Sequence, residues 1–357
     1  MVSDEEIKTE VSPFAMREGE IKTFDGKDGY VSMNQIINKI NIGHITDIHF
    51  KIMELVNEFE FMTSRQIYQI LEHRGEDIKS QDKLNNKLEQ LVKTKILTRY
   101  FFTAEEGKGV YRIYCLEKMG KYLLQSRGIE CKWQPTDNTK PVGMIKKRLA
   151  GNQIIIAYLR KVKAFDSYTV KPQINAKMSG KIFKAQGSVK ISKSGKSINL
   201  LFEVVRREED WEKKLEERMK LYKDFYENFV QFDSGYEIKP QLVMVCEDDK
   251  HMVETFKQIV TKGLEIKGIK LCFTTDLRQN DTDLSKSLIE FKIDEATQKY
   301  KIETLELKIL EWKIPIIKYY AIEKLQKREY SSRFYFTDYN FFLLFKSTTI
   351  ASSLSNK

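Results

Sequence analysis

Cysteine is sparse and scattered in this 357-residue chain: Cys115, Cys131, Cys246 and Cys272 stand far apart, with no CxxC pair. The four histidines, His44, His49, His73 and His251, do not gather around them. A structural zinc site is therefore not expected, and no other metal or cofactor is called for. Thiols spaced this way fit a reducing cytoplasm. Long apolar runs are missing too; a stretch such as Phe341 to Phe345 is far below the roughly 20 residues of a membrane-spanning helix. No signal peptide is evident, so the expectation is a cytoplasmic protein without a membrane partner. There is no GxxxxGK[ST] loop for ATP hydrolysis and no GxSxG nucleophile elbow.

Acid is also missing from one long stretch. Residues 141–200 carry 13 Lys or Arg and a single carboxylate, Asp166, for a net of +12, more than the +10 of the whole chain. Residues 1–28 sum to −4, residues 29–140 to +3 and residues 201–357 to −1. Charge concentrated like this predicts a polyanion partner and salt-dependent binding. Lys146, Lys147, Arg148, Arg160 and Lys161 are its candidate contacts. An anionic membrane fits less well, because no amphipathic helix with a wide aromatic face accompanies the charge.

What is present is clearest over residues 63–127. Thr63-Ser64-Arg65-Gln66 has the form of a capping box, followed by Ile67, Ile70 and Leu71 at helical spacing. After a polar break from Gly75 to Lys79, a second helix starts near Ser80 with Leu84, Leu88, Leu91 and Val92 on one face. Two β-rich runs, Ile96 to Phe102 and Val110 to Leu116, flank a Gly-containing turn and read as a hairpin. An upstream helix over 44–59 supplies Ile48, Ile52, Leu55, Val56 and Phe59, and Glu117–Arg127 closes the unit at Gly128. This is the order of a winged helix-turn-helix, which sets one helix in a major groove and a wing beside it. With the leucines inward, Lys79, Lys83, Asn86, Gln90 and Lys93 point outward. Lysine suits phosphate and Asn or Gln suits adenine edges, whereas any amphipathic helix also shows such residues to water. Lys108 and Arg112 of the wing complete the candidate double-stranded DNA surface.

Downstream, a helix from Met144 to Lys163 precedes β-rich runs at 167–171, 181–191 and 197–205. A charged helix over 208–229, an apolar strand at 240–246, a helix at 249–263 and an apolar strand at 269–275 follow. Continuous apolar strands alternating with helices predict a sheet buried on both faces. The order resembles a restriction-endonuclease-like, or PD-(D/E)XK, core, in which acidic residues on the second and third strands hold Mg²⁺. Glu203 falls at the acidic position of the third strand, but Val205 stands where the lysine belongs and Ala185-Gln186 where a Pro-Asp pair belongs. The 144–163 helix holds no acid at all. Glu203 is thus a weak catalytic candidate, read instead as a carboxylate satisfied by a guanidinium such as Arg206 or Arg207.

A winged helix followed by a degraded nuclease-like domain resembles the replication-relaxation family of plasmids, integrative elements and phages, some of them MobC-like mobilisation accessories. The resemblance covers about residues 44–275. It rests on Tyr111-Arg112-Ile113-Tyr114-Cys115-Leu116 with Lys118-Met119-Gly120, and on Phe202-Glu203-Val204-Val205-Arg206-Arg207 leading into a long helix. It implies an accessory that binds a transfer or replication origin, with a relaxase or replication protein as the partner that does the chemistry; whether the chain forms a homodimer is left open. No closely spaced His pair of the relaxase kind is present. The alternatives are a Mg²⁺-dependent endonuclease with Lys190 as a displaced lysine, and a transcriptional regulator.

The expected fold class is α/β, α+β overall. Residues 1–28 read as an acidic, disordered tail, 29–133 as the winged helix-turn-helix, 134–143 as a linker and 144–295 as the nuclease-like domain. Residues 296–357 read as a helix, with Ile302, Leu305, Ile309 and Trp312 at helical spacing, followed by an aromatic-rich extension.

Overall fold

Capped, short helices and a small antiparallel sheet form the first third of the chain in the computed structural model, which describes residues 11–103, 111–231, 235–281, 283–294, 299–305 and 307. Strand β1 (Ile21–Phe24) precedes helices α1 (Met33–Asn41) and α2 (Asp47–Phe59). Strand β2 (Met62–Thr63) leads into α3 (Ser64–His73) and α4 (Gln81–Lys93). Strands β3 (Leu97–Thr103) and β4 (Arg112–Leu116) and helix α5 (Lys118–Ser126) complete the unit. The sequence dictates the starts of its helices. Thr63 Oγ1 accepts from the Gln66 amide at 3.2 Å while Gln66 Oε1 accepts from the Thr63 amide at 3.1 Å, the reciprocal box that Thr-x-x-Gln predicts. Ser80 Oγ accepts from the Lys83 amide at 3.3 Å and opens α4. Ile67, Ile70 and Leu71 of α3 and Leu84, Leu88, Leu91 and Val92 of α4 are all buried. The strands line up β1-β3-β4-β2, each pairing antiparallel.

Helix α6 (Val142–Lys161) begins a larger α/β unit: β5 (Phe165–Val170), β6 (Gln173–Ala176), β7 (Lys181–Lys184), β8 (Gly187–Lys193) and β9 (Lys196–Val204). Helix α7 (Trp211–Glu227), β10 (Gln241–Cys246), α8 (Asp249–Thr261), β11 (Cys272–Thr275), α9 (Asp276–Asp281), β12 (Leu288–Asp294) and β13 (Lys299–Leu305) follow. The main sheet is mixed, in the order β13-β12-β11-β10-β9-β8-β5. Strand β10 runs parallel to β9 and β11, and the other neighbours pair antiparallel. Strands β6 and β7 form a separate ribbon, so the single run expected over 181–191 is two strands broken at Ala185-Gln186.

The period of two along the central strands sorts their side chains between two cores. Leu200, Phe202 and Val204 of β9 and Val243 and Val245 of β10 join Ile145, Leu149 and Ile154 of α6. Leu201 of β9 with Leu242, Met244 and Cys246 of β10 join Leu215, Met219, Tyr222 and Phe225 of α7. The first core continues without a break into Ile67, Leu88 and Phe59, so the two halves share one apolar interior. Polar groups also cross the junction. Asn152 Nδ2 donates to the carbonyls of Phe59 (3.1 Å) and Phe61 (2.8 Å), and Gln66 Nε2 to that of Leu149 (2.8 Å).

Three boundary expectations are corrected. Residues 11–28 are not a disordered tail. Phe14 and Ala15 are buried, Ser12 Oγ donates to Asp276 at 2.6 Å, the Met16 amide donates to Glu247 at 2.9 Å, and β1 adds an edge strand to β3. Few apolar residues suffice here because the α/β unit supplies the other wall. The 134–143 stretch is not a free linker either. A 3-10 turn over Pro135–Thr139 packs down, with Asn138 donating to the Leu116 carbonyl at 3.0 Å and accepting from the Trp133 indole at 3.1 Å. Ile302 and Leu305 lie in strand β13, not a helix. Lys299-Tyr300-Lys301-Ile302-Glu303 alternates with period two, and β12 offers an open edge. Ile309, Trp312 and the aromatic extension fall outside the described residues.

Candidate functional site

The outward face of α4 stands where the helical period puts it. Lys79, just before the helix, and Lys83, Asn86, Gln90 and Lys93 on it are all exposed. Two of them are partly engaged. Lys93 Nζ lies 3.7 Å from Glu89. Gln90 Oε1 meets Nε2 of His49, a buried residue of α2, at 2.8 Å. His49 Nδ1 accepts from the Thr46 amide at 3.0 Å, so Nε2 carries the hydrogen and the Gln90 oxygen accepts it. Burial lowers the His49 pKa, which favours this neutral form. The Gln90 amide nitrogen is thereby the end left to face outward, a departure from a freely bidentate Gln. Arg112 is exposed with its Nε 3.3 Å from Asp25, and Lys108 lies outside the described residues. A groove of about 590 Å³ lies between Arg65 at the start of α3, Asn85 of α4, Arg112 of β4 and Asn280 of α9. Arg65 and Asn85 escaped the sequence reading, although Arg65 sits inside the capping box itself.

The basic block is not a uniform contact surface. Lys146 is fully buried, paired with Glu20 and donating to the Ala15 carbonyl; burial lowers its pKa and the Glu20 contact opposes that. Arg148 is buried against the Gln186 carbonyl. Lys147 pairs with Glu208, Arg160 with Glu72 at 3.0 Å, and Lys161 donates to the Gln279 carbonyl at 3.0 Å. Lys146 and Arg148 are therefore corrected from DNA contacts to interior groups. Lys147 is half-buried, whereas Arg160 and Lys161 are exposed while also holding contacts within the fold. Counting charge along the chain missed this because the neutralising acids come from elsewhere: Glu20, Glu72 and Glu208.

Glu203 projects from β9 toward α7, on the same side as Leu201. Arg218 and Tyr222, one turn apart on α7, close over it. Arg218 Nε donates to Oε1 and Nη2 to Oε2, each at 3.0 Å, and Tyr222 Oη donates to Oε2 at 2.7 Å. Burial alone would lower the Arg218 pKa, but the Glu203 carboxylate outweighs it and raises it. Burial first, then the Glu203 charge, drives the Tyr222 hydroxyl well upward, so it stays a donor. The structural reading of Glu203 thus has a different guanidinium from the one expected. Arg206 instead bonds Asp276 at 2.9 Å and the Phe14, Val205 and Val245 carbonyls. Arg207 reaches Asp248 at 2.6 Å and Glu254 at 2.9 Å.

Val205 is buried and Gln186 lines one cavity with Glu203. Lys190 sits opposite Asn199, four residues along the ladder from Glu203, and pairs with Asp166 (3.6 Å) and Glu237 (3.5 Å). It is not placed to act as a displaced lysine. Among the described residues no three His, Cys, Asp or Glu side chains stand together as a metal-holding group. The four cysteines are buried and unpaired, and no helix among the described residues is long and apolar enough to cross a membrane.

No protein-family model, curated protein or solved structure matches this chain.

Proposed function

We propose that the chain binds double-stranded DNA without cleaving it, as a cytoplasmic accessory protein of a plasmid or other mobile element. In this reading α2, α3, α4 and the β3–β4 hairpin form a winged helix-turn-helix, with α4 in the major groove and the wing beside it. The larger unit is a PD-(D/E)XK-like domain that has lost its chemistry. The observation that carries the proposal is the exposure of Lys83, Asn86, Gln90 and Lys93 along one helix whose other face is buried leucine, with Lys79 exposed just before it. The pairing of Glu203 with Arg218 and Tyr222 supports the absence of cleavage, since a carboxylate whose two oxygens accept three hydrogen bonds has little left for Mg²⁺. Resemblance to the replication-relaxation family supplies the biological setting: an origin of transfer or replication, with a relaxase or replication protein performing the reaction.

The test is selection of bound duplexes from a random-sequence pool, followed by incubation of the selected site with Mg²⁺. Enrichment of one site, left intact, supports the proposal. Lack of enrichment overturns the DNA-reading role, and nicking abolished by Glu203→Ala overturns the accessory role.

A further inference from the structure

A second cavity, of about 310 Å³, opens between the start of α6, the end of β9, β7 and α7, apart from the α4 face. Eight of its seventeen lining residues are Lys or Arg and two are Glu. The acids that pair with those cations are few: Glu60 serves both Lys140 and Lys171, Glu208 serves both Lys147 and Lys214, and Arg218 has Glu203. Even with Asp137 and Asp276 added, five carboxylates face eight cations. Lys184 on β7 is exposed and has no carboxylate partner among the described residues.

Arg148 is the second, independent sign. Its side chain is only 2 % exposed, yet Nε and Nη1 have no hydrogen-bond partner, and only Nη2 is used, on the Gln186 carbonyl. Glu60, already shared by Lys140 and Lys171, is near enough to act on its charge but makes no hydrogen bond to Nε or Nη1. A buried guanidinium with two idle nitrogens is unfavourable unless an anion completes it. The backbone is shaped to keep it there. A Cβ on Gly151 would lie 2.9 Å from Arg148 Nη2 and 3.0 Å from Gln186 Cβ, so a side chain there would push the guanidinium aside. Trp211 and Leu215 of α7 give the wall an apolar part.

We propose that this cavity binds a nucleoside monophosphate group, with Arg148, Lys184 and Lys214 around the phosphate and Trp211 against the base. A guanidinium and ammonium groups suit a phosphate dianion. A volume at the lower end of the ligand-pocket range suits one nucleotide rather than a duplex. The group arrives either as a free nucleotide or as the phosphorylated end of a strand.

Calorimetric titration of the full chain with adenosine 5′-monophosphate, adenosine, and a single-stranded tetranucleotide with or without a 5′-phosphate tests this. None of these probes is a duplex that α4 could read, so failure here leaves the DNA-binding proposal standing, and the converse holds. Phosphorylated probes are expected to bind at least tenfold more tightly than their unphosphorylated counterparts. Lys184→Ala combined with Lys214→Ala should remove most of that difference, while Lys190→Ala, outside the cavity, should keep it. Equal binding of the nucleotide and the phosphorylated strand supports a mononucleotide site; binding of the strand alone supports a strand-end site. No phosphate-dependent binding, or binding unchanged in the folded double variant, overturns the proposal. Arg148→Met adds a second check: it should abolish binding without lowering the melting temperature of the free protein, and a lowered temperature with binding retained counts against the site.

Discussion

Arg218 holds both carboxylate oxygens of Glu203 from α7, at 3.0 Å each, and Tyr222 adds a third hydrogen bond from the next turn. The residue that most invites a catalytic reading is in this way the anchor of a helix on a strand.

Glu203→Ala is expected to cost about 3 kcal/mol, because it leaves Arg218 and the Tyr222 hydroxyl facing a vacated site. Urea unfolding measures it. A loss under about 1 kcal/mol would mean that the clamp is not structural.

Breaking the buried Lys146–Glu20 pair from one side should free the segment over residues 11–24. Glu20→Gln is expected to destabilise by about 3 kcal/mol and to expose that segment to protease, and the double change Glu20→Leu with Lys146→Met should recover most of the loss. Protection as strong in Glu20→Gln as in the parent would contradict this.

Stability should fall on acidification through His251. Burial, then the charges of Arg207 and Arg206, push its pKa down to about 3. The unfolded chain takes up its proton near pH 6.5 while the folded chain resists, so stability is fully present above about 6.5 and drains away as pH falls toward 3. His251→Gln should flatten the urea midpoint between pH 6.5 and 4. An unchanged slope would show that carboxylates alone carry the acid sensitivity.

Lys147→Ala is expected to leave duplex affinity within about twofold of the parent, since the Lys147 charge is committed to Glu208. A uniform loss on all sequences, measured by fluorescence anisotropy, would restore the basic block as a DNA contact.

Local chemistry was legible in the sequence and long-range pairing was not. The Thr63 box, the Ser80 cap and the leucine stripe of α4 depend on neighbours three or four residues away, and each stands where the spacing puts it. The partner of Glu203 comes from fifteen residues downstream on another element, and adjacent Arg206 and Arg207 were the natural but wrong choice. Residues 11–24 looked too polar to fold because their hydrogen-bond acceptors, Asp276 and Glu247, and the counter-charge Lys146 lie more than a hundred residues away. Long separation in the chain likewise hid the pairing of Lys146, Lys147 and Arg160 with Glu20, Glu208 and Glu72. Strand β13 was lost to a competing period, since Ile302 and Leu305 satisfy helical spacing while Lys299 to Glu303 alternate with period two.

The most direct measurement is the affinity of the parent, Asn86→Ala and Lys83→Ala for a selected duplex and a scrambled one, titrated from about 50 to 200 mM salt. The α4 reading predicts that Asn86→Ala lowers the ratio of specific to scrambled affinity by about tenfold at an unchanged salt slope. Lys83→Ala should weaken both duplexes alike and reduce that slope by about one. Two variants that bind as the parent does, or that lose affinity in the same way on both duplexes, would contradict the assignment of α4 as the helix that reads DNA.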